Sequence, residues 1–168
     1  MITTRKARPA DAQAMCDLLN PIIRDGSTTA HRSEFDAERM RVTHVVKPRL
    51  IRTTLAFDSD DLLGFQLLEW SDPTYDGPEA LPDDWAVIAS FVRTGLQGRG
   101  VGKVLWRDTL LAAKRANVVS IDASIRTDNQ SGLAYYSKLG FRDYSSIIDM
   151  VLSDGTVVDK TRKRFDIT

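Results

Sequence analysis

The chain has 168 residues, 42% hydrophobic and 27% charged; this is a globular composition at a length that suits one domain, read as residues 1–168. Its 23 Lys and Arg balance 23 Asp and Glu for a formal net charge of zero, which argues against a broad nucleic-acid surface and favours a small partner. One cysteine and two histidines rule out an internal disulfide, a zinc knuckle and a His-rich metal centre, so no metal is expected.

No apolar run approaches the roughly 20 residues of a membrane helix, so no membrane partner is expected. The charged start from Met1 to Arg8 lacks a signal-peptide core, and a cytoplasmic location is expected. Residues 2–7 read as a short strand. Pro9 and Asp11 open a helix with Ala12, Met15, Leu18, Leu19 and Ile22 at helical spacing. Pro21 predicts a kink or an end near Asn20. Residues 24–35 read as a loop, and Asp36 caps a second helix expected over 36–46. Strands over 49–57 and 62–70 flank the turn-forming Asp58-Ser59-Asp60-Asp61. The longest loop is 71–84, with three prolines, a glycine and five acids.

Residues 85–92 form an apolar strand expected in mid-sheet with both faces covered. A helix over 100–116 turns Val101, Leu105, Trp106, Thr109, Leu110, Ala112 and Ala113 inward, and Lys103, Arg107 and Lys114 outward. Residues 118–125 alternate around Asp122 as a strand. A short helix over 131–139 stops at Gly140. A strand region from Phe141, a turn at Asp154-Gly155 and a strand over 157–167 close the sheet. This order predicts a mixed α/β fold with helices on both sheet faces.

Gln97-Gly98-Arg99-Gly100-Val101-Gly102 lies between the apolar strand and its helix. Its glycines let backbone N–H groups approach a ligand, and the helix start favours an anion. Arg99 adds positive charge, and Arg93 is a second cation at the strand end. The spacing fits neither the dinucleotide fingerprint nor the P-loop. A phosphate or pyrophosphate cradle is the functional reading, and a closely packed glycine turn the structural one.

The same six residues resemble the acyl-coenzyme A signature of the GCN5-related N-acetyltransferase (GNAT) superfamily, Gln/Arg-x-x-Gly-x-Gly/Ala. A second match is Asn129 through Phe141, with Asn129, Tyr136 and Gly140-Phe141 at the family spacing. Arg8-Pro9-Ala10-Asp11, Asn20 and the Ser/Thr-rich loop resemble the phosphinothricin or amino-acid N-acetyltransferase branch, whereas Gly95 and Gly132 depart from its pattern. The resemblance implies a mostly antiparallel central sheet flanked by helices, acetyl-coenzyme A as co-substrate, and a primary amine as acceptor. It implies direct attack in a ternary complex, with an amino acid or amino-acid analogue among the acceptors. Protein or peptide acetylation and a non-catalytic acyl-coenzyme A sensor are the alternatives.

By the same resemblance, backbone from Gln97 through Gly98, Arg99, Gly100, Val101 and Gly102 contacts the pyrophosphate. Phe91, Val92 and Arg93 offer backbone to the pantetheine and thioester, and Asn129 offers its amide. Tyr136 is the general acid for the departing thiolate, whereas Tyr135, about 100° around the helix, is expected to point elsewhere. Glu69, beside Trp70, is a candidate base along with Asp84, Glu34 and His31, and water is a further alternative. Cys16 reads as a packing residue. Thr28, Thr29, His31, Trp70 and Trp85 are candidate acceptor contacts on or beside the two long loops. The acids of 71–84 are candidates to attract a cationic amine. The final hairpin offers an edge for a homodimer, although Lys160, Arg162, Lys163 and Arg164 would protect that edge in a monomer.

Overall fold

In the computed structural model, which describes residues 1–168, seven strands form one sheet. They are β1 (Ile2–Lys6), β2 (Leu50–Asp58), β3 (Asp61–Trp70), β4 (Trp85–Val92), β5 (Ser120–Arg126), β6 (Arg142–Val151) and β7 (Val157–Asp166). Their spatial order is β1-β2-β3-β4-β5-β7-β6. Only β4 and β5 pair in parallel. The helices are α1 (Ala12–Asp25), α2 (Ala37–Met40), α3 (Val101–Arg115) and α4 (Gln130–Leu139). This is the mixed, mostly antiparallel α/β sheet expected, with helices on both faces.

Period-2 alternation sorts each strand between two cores. Leu55 and Phe65 pack with Met15, Leu19, Ile23 and Met40 from α1 and α2. Ala86, Ile88, Ile121, Ala123 and Ile125 pack with Trp106, Ala113, Tyr136 and Phe141 on the opposite side. Phe65, Met15, Leu19, Met40 and Leu55 are fully buried, and such burial stabilises by about 1.5–3 kcal/mol per large side chain.

Three local expectations are corrected. Helix α1 runs through Pro21 to Asp25 and ends at Gly26 in the left-handed region, φ 73°. Pro21 lies on the exposed face, while buried Leu18, Leu19 and Ile23 hold both halves to the core. The second helix is α2 followed by one π-turn, Arg41–Val45, rather than a continuous α-helix; Asp36 does cap it, accepting from Arg39 N at 2.7 Å. Strand β4 is largely buried only in its first half, and from Ala89 to Val92 it is half-exposed. Its parallel neighbour leaves it there.

Candidate active site

The parting of β4 and β5 creates the site. They pair only at Trp85–Ser120, Ala86–Ile121 and Val87–Asp122. Beyond that point β4 stays with β3 as far as Val92, and β5 stays with β7 as far as Arg126. A wedge opens between them, and the β4 edge over 88–92 has no strand partner on that side.

The glycine turn stands at the end of β4. Gly95 N donates to Gln97 Oε1 at 3.0 Å, which ties the turn across itself. Gly98 and Gly100 have φ of +81° and +85°, and a Cβ on either would meet nothing within 4 Å. Positive φ favours glycine there, and the space before both is open. The N–H groups of Gly100, Val101, Gly102 and Lys103 have no protein partner, as the first turn of a helix dictates. Such a turn fits a phosphorylated ligand.

Two assignments at this turn change. Arg93 is not a free cation, because its guanidinium makes two 2.8 Å bonds to Asp61 and another to Leu62 O. Its backbone N–H is also spent, on Leu63 O at 2.9 Å. Arg99 remains exposed beside the turn without an ion pair. Gly102 is required by Tyr135 rather than by open space: a Cβ there would lie 2.5 Å from Tyr135 Cε1.

Tyr135 does not point away from Tyr136. Helix α4 lies where one residue reaches α3 and the next reaches β4, and their rings meet edge-on at 4.9 Å. Tyr135 Oη donates to Gly102 O at 2.8 Å, and Tyr136 Oη meets Ser90 Oγ on β4 at 2.7 Å. Gln66 on β3, fully buried, joins them by donating Nε2 to Ser90 Oγ at 2.8 Å and to Tyr135 Oη at 3.0 Å. Burial pushes the Tyr135 phenol up to about 12 and raises Tyr136 further, so both keep their protons at neutral pH. Ser90 and Gln66 were not singled out from sequence; a glutamine inside the apolar run of β3 was the available signal.

On the other face of β4, the loop between α1 and α2 reaches over the wedge. Arg126 Nη1 at the end of β5 donates to Gly26 O at 2.8 Å and Thr29 O at 3.2 Å. Asn129 Nδ2 donates to Thr28 O at 3.4 Å. These bonds bring Thr28 and Thr29 to the site through their carbonyls. His31 packs on Phe91 of β4, ring centroids 6.0 Å apart, and on Phe35 at 5.2 Å. Burial, then Arg39 and Lys160, lower the His31 pKa, and its imidazole is neutral at pH 7. Its neighbour His44 is pushed down to about 4, mainly by burial.

Asp122 closes the base of the wedge on this face. It is buried, accepts from Tyr144 Oη, and pairs with buried Arg162 at 3.3 Å. Desolvation raises its pKa against those partners. This trio was also missed, although an acid within an alternating apolar strand had marked Asp122.

Other candidates scatter. Glu69 lies opposite Val87, below the open part of the wedge, ion-paired with Lys47. Trp70 packs with the core beneath α3, and the structure does not bring it to His31. Trp85 shares the His31 side of β4 but at its far end, under Arg164 at 4.3 Å and against Tyr144 at 5.8 Å. Glu34 is exposed and paired with Arg24, and Asp84 is exposed. Asn129 caps α4, accepting from Gly132 N at 3.0 Å. A Cβ on Gly132 would lie 2.6 Å from Asn129 Nδ2, so the departure to glycine makes room for that cap. Cys16 is buried in the α1 core, where desolvation raises its thiol pKa. No cluster of three His, Cys, Asp or Glu side chains could hold a metal, and no helix is long and apolar enough to cross a membrane.

No curated protein sequence matches the chain. Many solved structures share the fold, among them these three. One provisionally described as a phosphinothricin N-acetyltransferase is 22% identical, with a TM-score of 0.79 over 100% of this chain and 99% of that one. YncA from Salmonella typhimurium, solved with its cofactor acetyl-CoA, is 17% identical, with a TM-score of 0.79 over 99% and 94%. Ribosomal-protein-alanine N-acetyltransferase from Brucella melitensis is 17% identical, with a TM-score of 0.79 over 98% and 99%. These likenesses speak to the fold. The family model of the Acetyltransferase (GNAT) family matches residues 12–141, and with the split sheet and the glycine turn in place, this chain belongs to the GNAT acetyltransferase family.

Proposed function

We propose that the chain transfers the acetyl group of acetyl-coenzyme A to a primary amine of a small molecule, by direct attack in a ternary complex. The observation that carries this reading is the Tyr136 hydroxyl on Ser90 of β4, at the wedge that begins beside the unpartnered N–H groups of α3. Acetyl-coenzyme A would supply an acetyl thioester. Gly98 and Gly100 to Lys103 would hold its pyrophosphate by backbone N–H groups, with the Arg99 side chain beside them, its own N–H being spent on Leu96 O. The open edge of β4 at Ser90 and Val92 would offer hydrogen bonds to its amide-bearing arm, whereas Phe91, in register with Phe65, turns its N–H and C=O to β3 as Arg93 does. Asn129 would contribute only what its capping role leaves free, since Oδ1 is engaged by Gly132 N.

Hydrogen-bond direction separates the two tyrosines. An amide NH₂ cannot accept, so both Gln66 Nε2 bonds are donations. Tyr135 spends its single proton on Gly102 O. Ser90 Oγ, already accepting from Gln66, can give its own proton to Tyr136 Oη. Tyr136 then keeps its proton free for the departing thiolate, and the bond from Ser90 stabilises the phenolate that results. No nucleophilic side chain is needed for direct attack. Once the neutral amine has attacked, its surplus proton leaves to the opposite face, where the His31 imidazole is neutral and Glu69 is tied to Lys47.

Free-thiol release from acetyl-coenzyme A, measured over amino acids, polyamines, aminoglycosides and short peptides, tests the reading. Turnover with one small-amine class is expected. Tyr136→Phe should lower kcat by roughly 10²- to 10³-fold with little change in the KM for acetyl-coenzyme A. Undiminished transfer by that variant from pH 6 to 9 would remove Tyr136 from the acid role. Thiol release with peptides alone would move the acceptor to protein, and saturable cofactor binding without release would make the chain a sensor.

A further inference from the structure

The charge around the His31 side of the wedge points to the acceptor. Residues directly opposite in an antiparallel pair face the same way. Lys160 of β7 is opposite Arg126 of β5, whose guanidinium reaches the loop carbonyls of Gly26 and Thr29. Lys160 therefore stands on the same face, beside the loop that carries His31.

Three acids on this face have partners, and a fourth, the half-buried Glu79, stands at the base of the wedge, where its carbonyl accepts from Arg162 and its charge acts on Asp122. Asp122 has Arg162 and Tyr144, Asp128 has Arg126 at 2.7 Å, and Asp154 faces Arg32 at 3.9 Å. Lys160 is partly buried and has neither ion pair nor side-chain hydrogen bond. A lysine withdrawn from solvent without a partner leaves a local positive potential. The ionised groups that act on His31 are Arg39 and Lys160, both cations. Arg39 lies over the Phe35 ring at 3.8 Å and donates to Ser33 O and Glu34 O, which leaves Lys160 as the open cation of the two.

We propose that Lys160 receives an anionic group of the acceptor, and that the preferred acceptor is a small primary amine carrying a carboxylate. This rests on the acetyl-transfer reading and specifies its substrate class. The same cations disfavour an ammonium beside His31, so the amine enters the wedge neutral while its carboxylate stays charged. The exposed acids of residues 71–84 then do not select the acceptor.

Matched acceptors test this: α-, β- and γ-amino acids, each against its carboxamide, in the thiol-release assay. In the parent chain the free acid should exceed its amide at least tenfold in kcat/KM, mainly through KM. Lys160→Met should remove that preference by weakening only the acid, and Lys160→Arg should restore most of it. Equal use of acid and amide by the parent, or equal loss of both in Lys160→Met, overturns the proposal.

A second readout needs no turnover. With only His31 and His44 in the chain, the His31 ring signal can be assigned by proton NMR through His31→Asn. An N-acetyl amino acid should shift it saturably, its carboxamide should not, and Lys160→Met should abolish the shift. Absence of a shift in the parent overturns the anion site even if transfer is observed. A shift without thiol release from any amine keeps the anion site and removes the acetyl-transfer reading.

Discussion

The two faces of β4 hold different chemistry. Around Ser90 the groups are neutral: an amide, a serine and two phenols whose protons have assigned destinations. Around Asp122 and Arg126 the groups are ionic, with Asp122, Arg162, Arg126 and Asp128 held in pairs. A neutral hydrogen-bond network can direct one proton without a fixed field opposing the charge that develops. An ionic face does the opposite, because it sets a potential that sorts ligands by charge. In the proposed function, proton delivery falls on one side of the strand and acceptor selection on the other.

The largest expected effect tests the ionic face. Asp122→Ala strands the buried Arg162 guanidinium and should cost about 3–5 kcal/mol in urea unfolding; a loss under 1 kcal/mol would mean that this face is solvated and not a fixed field. Acid should reveal the same face through His44. Its native pKa near 4 lies below its ordinary 6.5, so the unfolded chain binds the extra proton. The stability associated with neutral His44 is complete above about pH 6.5 and declines as pH falls towards 4, by up to about 3 kcal/mol. The groups acting on it are His31, Lys47 and Arg39. Urea midpoints at pH 7 and 4.5 should converge in His44→Phe, and an unchanged slope would assign the acid sensitivity elsewhere.

Smaller effects are expected on the neutral face. Gly102→Ala drives a Cβ into the Tyr135 ring and should cost about 1–3 kcal/mol. In the double variant with Tyr135→Leu, most of that loss should be recovered. Ser90→Ala removes one hydrogen bond to Tyr136 and should lower kcat about tenfold with KM unchanged. An unchanged kcat would show that Tyr136 needs no orientation from β4.

On the neutral side, Tyr136 and the glycine turn could be read from sequence because their elements are local, whereas Ser90 and Gln66 could not. The glycines, the helix start and the block from Asn129 to Phe141 each lie within a few residues of one another. The wedge was legible only by family resemblance, since nothing in strand 85–92 says where its neighbour departs. The ionic side was mostly hidden. Asp122 meets Tyr144 and Arg162 over separations of 22 and 40 residues, and such meetings depend on register rather than motif. The helix end expected at Pro21 does not occur for a related reason, because the local helix-breaking cost is overridden by the packing of α1. Tyr135 misled because an angle around a helix does not say how many neighbours that helix touches.

The wedge gives this sheet two free edges in its middle instead of only at its margins. A strand edge is a row of donors and acceptors waiting for another backbone, and an amide-bearing ligand can answer it as a short surrogate strand. Ligand binding and sheet completion then become one event. On the proposed function, the centre of the molecule, elsewhere its most protected part, is where the amide hydrogens of Ser90 and Val92 should respond to the ligand.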